Sequence, residues 1–487
     1  MLITLHTQTP ATGDLVIPFL QSDALPGELT AVAQRLNLPA SVLEHDFKAD
    51  AGEVLPVYSA SGQRTYLLGL GKTPQSMDWL RVFRSFFFTN KSKLPNQLSV
   101  DVSRFDSIVV EAVVLGILGG GYNLQLYKTD KAGESAFYGS EGQLTLYVDA
   151  DQRLAADDAL TRARTIARTQ RAMLDLMNAP ANYKNPQTLA DWSLNAGRTN
   201  GYSVTVLDKA ALEEQGLGAL LSVSRGSDVP PALIVVEYKP ESVGNLRTVG
   251  LVGKGVTFDT GGVSIKSSAS MHLMKSDMGG AAAVLGTIDV AAQLNLPVHL
   301  IGIVPATENS TDGSSTKPGD VITTYTGKTI EIIDTDAEGR VILADGLGYL
   351  LRNYQPDVVI DLATLTGSII AALGYHAAGL FTANDELAAQ LAQAGERTGE
   401  RVWRMPLWDV YKEDIKSDVA DIKNFSGKPL AGSISAAKFL EFFSENHPAW
   451  AHLDIAGMAF ADTEFGSQKN ATGFGIRLLI DYIHNMM

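Results

Sequence analysis

From residue 186 onward, short apolar runs alternate with Gly- and Ala-rich helical stretches such as 279–294. The runs at 298–304 and 358–362 are almost continuously apolar, which is typical of strands covered on both faces. This alternation predicts an open, mainly parallel sheet with helices on both sides. In such sheets, functional side chains collect beyond the carboxyl ends of the strands. The predicted strands are 203–207, 232–237, 248–252, 298–304, 329–333, 358–362 and 452–455.

The residues before this region are organised differently. Residues 1–150 mix short β-like runs with helical patterns, which predicts a smaller N-terminal mixed α/β domain. Apolar residues at helical spacing then predict a long helix over 151–177, which ends before Pro180. We therefore predict a two-domain α/β protein, in which a connecting helix and turn at 151–185 lead into a larger C-terminal domain at 186–487.

Composition narrows the kinds of site that the chain can build. It has no cysteine, which excludes disulfide scaffolds, thiolate metal sites and cysteine nucleophiles. With only eight histidines, any metal site should consist mainly of oxygen ligands. The 54 acidic residues outnumber the 39 basic ones, and the net charge of −15 disfavours nucleic acids and anionic membranes as partners. No targeting signal or 18-residue apolar run is visible, which favours a cytoplasmic protein without a membrane span.

Two charged segments follow predicted strands, where charges are costly to bury without partners. If the second segment is extended, its charged residues, spaced by two, share one face. Carboxylates from both segments could hold two divalent cations about 3.5–4 Å apart, as in many hydrolases. Each residue taken alone could equally be a turn, capping or solvated loop residue. The first segment contains Lys254, Asp259, Lys266 and Asp277, and the second contains Asp336, Glu338 and Arg340.

The loop that begins at Asp334 leaves two other interpretations open. Its Asp-x-Asp-x-Glu-Gly pattern approaches an EF-hand, so a calcium-binding or regulatory module is one alternative. Asp345 stands where an EF-hand has its bidentate glutamate, and a predicted strand precedes the loop in place of a helix. A strand followed by Asp-x-Asp also resembles an aspartyl phosphatase. A single Asp-Thr-Gly at 259–261 and incomplete phosphate-loop and dinucleotide motifs disfavour an aspartic protease, ATP and NAD.

These charged segments resemble the leucyl (cytosol) aminopeptidase family of di-metal peptidases. The family's octapeptide Asn-Thr-Asp-Ala-Glu-Gly-Arg-Leu reads Asp-Thr-Asp-Ala-Glu-Gly-Arg-Val at 334–341, and neither substituted position is a metal ligand in the family. The resemblance covers 186–487 and implies that this larger C-terminal domain is the di-metal peptidase catalytic domain. Its other matching blocks are 252–266, 274–283, 361–367, 452–457 and 471–478.

The resemblance implies a role for each matching residue. Lys266 would stabilise the oxyanion of the tetrahedral intermediate, and Arg340 would hold a bicarbonate ion that serves as general base. The tighter of two metal ions would be held by Lys254, Asp259, Asp277 and Glu338. The more exchangeable ion would be held by Asp259, Asp336 and Glu338. The substrate would contact Met274, Thr364, Leu365 and Gly367.

The resemblance also implies an activity and an assembly. It implies a metal-dependent exopeptidase that removes the N-terminal residue, preferably a leucine-like one, from peptides with a free N-terminus. Manganese or zinc would be the usual ions, and oxygen-rich ligation suits manganese at least as well as zinc. The implied assembly is a homohexamer, a dimer of trimers whose active sites face an inner cavity.

Overall fold

A computed structural model describes residues 1–8, 13–59, 62–130, 135–241, 244 and 246–486. The chain divides into two compact units, Met1–Arg168 and Thr169–Met487. The division falls within the helix Arg153–Asn178, which starts two residues later than the predicted connecting helix. Within the described ranges, every helix is too short or too polar to cross a membrane.

The first unit is built on one mixed sheet. Its strands are β1 (Leu2–His6), β2 (Leu15–Phe19), β3 (Val54–Tyr58), β4 (Arg64–Gly69), β5 (Gln97–Asp101) and β6 (Gln143–Tyr147). Its helices are α1 (Leu25–Leu36), α2 (Ala40–Asp46), α3 (Ser76–Asn90) and α4 (Ile108–Gly120), with a 3-10 turn at Ala136–Tyr138. The strand order is β1-β6-β5-β2-β4-β3, and β3 runs antiparallel to β4 at the edge. The predicted mixed α/β class of this part is confirmed.

The second unit begins within α5 (Arg153–Asn178) and contains the charged segments. Its strands are β7 (Ser203–Leu207), β8 (Ala232–Tyr238), β9 (Thr248–Gly253), β10 (Gly255–Asp259), β11 (His299–Asn309), β12 (Val321–Thr323), β13 (Thr329–Glu331), β14 (Val358–Ala363), β15 (Ala378–Phe381), β16 (Val402–Arg404), β17 (Ile422–Lys423) and β18 (Trp450–Asp454). Its α-helices are α6 (Pro186–Asn200), α7 (Lys209–Gln215), α8 (Gly218–Ser224), α9 (Gly279–Gln293), α10 (Glu338–Asn353), α11 (Gly367–Leu373), α12 (Asp385–Thr398), α13 (Gly432–Phe443) and α14 (Ile476–Met486). Single 3-10 segments are Met271–Ser276 and Asp409–Ile415.

The large sheet of this unit has the order β16-β15-β18-β14-β9-β11-β8-β7, and β10 pairs with β11. Its centre is parallel, because β18, β14, β9 and β11 pair parallel in that sequence. Beyond β11, the strands β8 and β7 pair antiparallel. The mainly parallel sheet flanked by helices is therefore confirmed, and β9, β10 and β14 place their carboxyl ends beside the charged segments.

Helix α9 packs unusually closely against the centre of this sheet. Its residues from Gly279 to Ala292 are all buried, and most of them are small. A Cβ atom on Gly280 would lie 2.0 Å from the carbonyl oxygen of Leu362 and 2.7 Å from the amide nitrogen of Lys254. Glycine at this position therefore lets the start of α9 touch the carboxyl ends of β9 and β14.

The predicted strand at 329–333 differs from the observed structure. It shortens to β13, which lies in a separate three-stranded sheet of order β12-β13-β17. The chain leaves the strand because the amide of Ile333 donates to the side chain of Asn424 at 2.8 Å instead of to a neighbouring strand. The second charged segment therefore follows a small sheet and reaches the site as a turn.

Candidate metal centre

Lys254 is anchored by its backbone at the point where the sheet and α9 meet. Its amide donates to the carbonyl of Leu362 at 3.0 Å, and its own carbonyl accepts from the amide of Ala281 at 2.9 Å. The side chain is 3% exposed. Its ammonium nitrogen lies 2.7 Å from Asp277 Oδ2 and 2.9 Å from Glu338 Oε1. Lys254 is thus directed into a buried pair of carboxylates.

The charge of Lys254 is set by these neighbours. Burial lowers the pKa of its amine, but Asp277, Glu338 and Asp259 outweigh burial and raise the pKa above its ordinary value. Asp277 is fixed in turn, because the hydroxyl of Thr364 donates to its Oδ1 at 2.7 Å. Positive charge is therefore strongly favoured between these carboxylates.

Asp259 ends β10 and uses its two oxygens differently. Its Oδ1 accepts from the amide of Gly261 and from Nδ2 of Asn309, both at 2.8 Å. Its Oδ2 lies 2.8 Å from the ammonium nitrogen of Lys266, which also pairs with Asp336 Oδ1. Burial lowers the pKa of Lys266, and the surrounding carboxylates, Asp259 first, raise it above its ordinary value. A second position for positive charge therefore lies between Asp259 and Asp336.

The turn after Asp259 depends on glycine. Gly261 and Gly262 have φ values of +87° and +66°, in the left-handed region that other residues rarely adopt. A Cβ atom on Gly261 would also lie 2.9 Å from Asp336 Oδ1. These glycines let the turn approach the second charged segment closely.

The second charged segment is a turn followed by a helix, in contrast to the extended loop considered from the sequence. Asp336 lies in the turn, while Glu338 and Arg340 lie in the first turn of α10. Asp336 and Glu338 nevertheless converge, because each places a carboxylate oxygen within 4.8 Å of the other and of Asp259. Arg340 is directed elsewhere: its Nη1 donates to the carbonyl of Asn424 at 3.0 Å. Burial lowers the pKa of Arg340 to about 10, against the opposing effects of Glu338 and other carboxylates.

Three polar residues that were not identified from the sequence support the site: Asn309 and Thr335 join the two segments, and Asn424 holds the second segment. Asn309 bridges the two segments, since its Nδ2 donates both to Asp259 and to the carbonyl of Thr335. The Thr335 hydroxyl accepts from the amide of Ser264 at 2.8 Å and donates to the carbonyl of Gly261 at 2.7 Å. Asn424 is fully buried and also binds Arg340. Asn and Thr are common turn residues, so sequence alone carries no signal that distinguishes them.

The proposed substrate-contacting residues lie around the ends of β14 and the 3-10 segment. Met274 and Thr364 are partly buried, and Thr364 also accepts from Lys254 through its carbonyl at 3.1 Å. The amide of Leu365 donates to Asp454 at 3.1 Å, which leaves its carbonyl as the backbone group for a ligand. A Cβ atom on Gly367 would meet no atom within 4 Å, so this residue begins α11 beside open space.

The donor set fits divalent cations. Glu338 Oε2 is buried and makes no hydrogen bond within the described part of the chain. Burial raises the pKa of Asp336 to about 7, with further contributions from Asp259 and Glu338, which repel its charge. Burial likewise raises the pKa of Glu338, and the Asp259 carboxylate adds to the shift. Because this repulsion is relieved by positive charge, the convergence of hard oxygen ligands favours metal ions.

Comparison with known proteins identifies the family. Residues 171–480 match the model of the cytosol aminopeptidase family catalytic domain. A relative from Chlorobium phaeobacteroides, named "Probable cytosol aminopeptidase", is 43% identical over 486 residues and 96% of each chain. A mutant of tomato leucine aminopeptidase superposes with a TM-score of 0.88 at 30% identity, covering 100% of this chain and 96% of the other. The bottromycin maturation enzyme BotP in complex with Mn has a TM-score of 0.83 at 32% identity, covering 98% and 99%. This chain therefore belongs to the cytosol aminopeptidase family.

Proposed function

We propose that the carboxylate cluster of this protein holds two divalent cations, which serve the removal of N-terminal residues from peptides. As a member of its family, the chain is a metal-dependent aminopeptidase. The observation that carries the two-cation proposal is the convergence of Asp259, Asp336 and Glu338 within 4.8 Å, beside two lysines held by carboxylates. Manganese fits these oxygens at least as well as zinc, and BotP is described with Mn.

The ligands divide into two overlapping sets. The tighter cation would be held by Lys254, Asp259, Asp277 and Glu338. The more exchangeable cation would be held by Asp259, Asp336 and Glu338, so two carboxylates are shared. The position of the Lys254 amine between Asp277 and Glu338 supports the first set, because a ligating lysine must exchange its proton for the cation. When bound, the two cations would supply a water of lowered pKa and polarise the scissile carbonyl.

Lys266 and Arg340 would act on the reacting groups. The carboxylates around Lys266 raise the pKa of its amine, and its partly exposed ammonium can stabilise an oxyanion. Arg340 has a buried Nε without a hydrogen bond to described residues, which supports a role in holding a small anion. We assign bicarbonate to this position, as the base that receives the proton of the attacking water.

The substrate would be a peptide with a free α-amine. The amine would face the exchangeable site, which would restrict each cleavage to the peptide bond after the first residue. Met274, Thr364 and Gly367 would border the side-chain pocket, and Leu365 would offer its carbonyl. A leucine-like side chain suits the partly apolar lining, and one of the similar structures is a leucine aminopeptidase.

We further propose a homohexamer in the cytoplasm, as the family resemblance implies. The relatives are named as probable cytosol aminopeptidases, which supports the location. The net charge of −15 supports peptides over nucleic acids as ligands. Neither the calcium-binding nor the phosphatase alternative has support from the comparisons, whose family is one of peptidases.

Removal and return of metal tests the proposal. Chelation should abolish hydrolysis of a leucyl chromogenic amide, because the cations would both lower the pKa of the attacking water and polarise the scissile carbonyl. Manganese or zinc should restore activity with two ions bound per chain, measured by elemental analysis beside the rate. Activity that returned with calcium alone, or at one ion per chain, would contradict the two-cation proposal.

A further inference from the structure

Lys184 is a fully buried lysine in the turn between α5 and α6. Its ammonium nitrogen donates to the carbonyl of Thr257 at 2.7 Å and also to the carbonyl of Lys275. Both acceptors belong to the backbone. The side chain therefore contacts two chain segments that are 73 and 91 residues away from Lys184 in sequence.

Those two segments carry most of the ligands proposed for the tighter cation. Thr257 lies in β10, between Lys254 and Asp259. Lys275 lies in the 3-10 segment Met271–Ser276, two residues before Asp277. Lys184 thus links β10, which carries Asp259, to the 3-10 segment that leads to Asp277, and these two ligands must face each other across the cation.

The last residue of α5, just before this turn, also contacts the 3-10 segment. The ammonium of Lys275 donates to the carbonyl of Asn178 at 2.7 Å. The Asn178 side chain accepts from the amide of Ala471 at 3.1 Å, which links it to the segment before α14. The turn itself is closed by a bond from the amide of Lys184 to the carbonyl of Pro180 at 3.1 Å. Lys275 in the 3-10 segment is therefore held twice: its carbonyl accepts from Lys184, and its ammonium donates to Asn178.

The chemistry of Lys184 differs from that of another buried lysine in this unit. Lys438 is 2% exposed and pairs with carboxylates, Glu441 at 2.6 Å and Asp409 at 3.1 Å. Lys184 donates to carbonyls instead, and burial, with the nearby Lys275 ammonium, lowers its pKa to about 7 against the effects of Asp277 and Glu308. An ammonium and a neutral amine each have N–H groups for two carbonyls, so the bridge forms in either state.

We propose that Lys184 is a positioning residue, which fixes the distance between β10 and the segment that leads to Asp277 and thereby sets the affinity of the tighter cation. The inference rests on the proposed function, since it needs that cation. Groups behind the ligands of a metal typically change its affinity by about 10- to 100-fold when they are removed. Lys184 would have the same kind of effect by holding the backbone carbonyls of Thr257 and Lys275, without contacting the cation.

The test is the affinity of metal-stripped, full-length protein for Mn²⁺, measured by competition with a chromogenic chelator. In Lys184→Met we expect the tighter of two binding constants to weaken about 10- to 100-fold, while the weaker one stays within about twofold. The matched control is Lys438→Met, which also removes a buried amine and should lower the melting temperature without changing either constant. Equal weakening of both constants, or the same loss in the control, would show a general loss of structure and overturn the proposal.

A second variant, Lys184→Gln, and a second measurement, the spectrum of bound Co²⁺, test the proposal independently. The amide of Lys184→Gln is one atom shorter and reaches at most one of the two carbonyls, so it should weaken the tighter site by a smaller factor. If Lys184→Met does not fold, unchanged affinity in Lys184→Gln refutes the bridge. The visible spectrum of bound Co²⁺ should change in both variants, because the ligands of the tighter site move. Wild-type protein that binds no second ion would refute the proposed function instead, independently of Lys184.

Discussion

Glu338→Ala is expected to abolish hydrolysis of a leucyl chromogenic amide and to weaken the retention of both cations. Glu338 is 3% exposed, and its two oxygens point to different parts of the cluster: Oε1 to Lys254, and Oε2 to no hydrogen-bond donor among the described residues. As one of the two shared ligands, Glu338 would contact both ions, so one substitution affects both. Loss of several kcal/mol of charge stabilisation corresponds to a rate decrease of at least about a thousandfold.

A matched control separates this effect from loss of a buried acid. Asp345 is a second buried carboxylate on α10, where it accepts from the amides of Tyr325 at 2.7 Å and Leu220 at 2.9 Å. Asp345→Asn should lower the melting temperature, because one of these amides loses its acceptor, while the ions and the turnover number are retained. Full activity with two bound ions in Glu338→Ala would refute the shared-ligand assignment.

The large sheet could be predicted because most of its longer strands have a recognisable apolar pattern in the sequence. The central strands β9 and β14 each extend only one residue beyond their predicted bounds, since buried central strands are nearly continuous apolar runs. The edge strand β7 matches its predicted bounds through the alternation in Ser-Val-Thr-Val-Leu. β15, β16 and β17 are two to four residues long and have no comparable run. β10 was also missed, because its sequence begins at Gly255 and ends at Asp259 in a segment that resembles a loop. Short strands depend on pairing partners that are distant in sequence.

In the candidate site, too, some residues could be predicted from local sequence and others could not. Its charged residues stand out because buried charge after an apolar strand requires an explanation. The residues that hold them are different: Asn309 and Asn424 act through side-chain amides that any turn could use, and their partners Asp259 and Ile333 are 50 and 91 residues away. Lys184 in sequence is one lysine in a turn, and its burial becomes visible only when β10 and the 3-10 segment are both in place. Long-range supports of this kind cannot be deduced from local pattern.

Lys266→Ala is expected to reduce turnover by about 10²- to 10³-fold, the usual cost of removing one group that stabilises an oxyanion. Its effect on the ions should have the opposite sign to that of Glu338→Ala. The Lys266 ammonium lies against Asp259 and Asp336, two carboxylates of the exchangeable site, so its removal takes away a competing positive charge. Mn²⁺ should therefore bind at least as tightly as in the wild type, although catalysis is slow.

Lys254→Ala is the informative comparison for this result, because the two lysines lie in one cluster and both have a raised pKa. As a ligand, Lys254 should be required for the tighter cation, and its removal should lower metal content and activity together. Lys266→Ala should lower kcat at full metal content, with KM changed little, because the oxyanion forms only after the substrate has bound. Metal loss in Lys266→Ala together with metal retention in Lys254→Ala would mean that the two roles are reversed. Measurement of kcat, KM and bound metal on the same preparations of both variants therefore decides which lysine binds a cation and which stabilises the transition state.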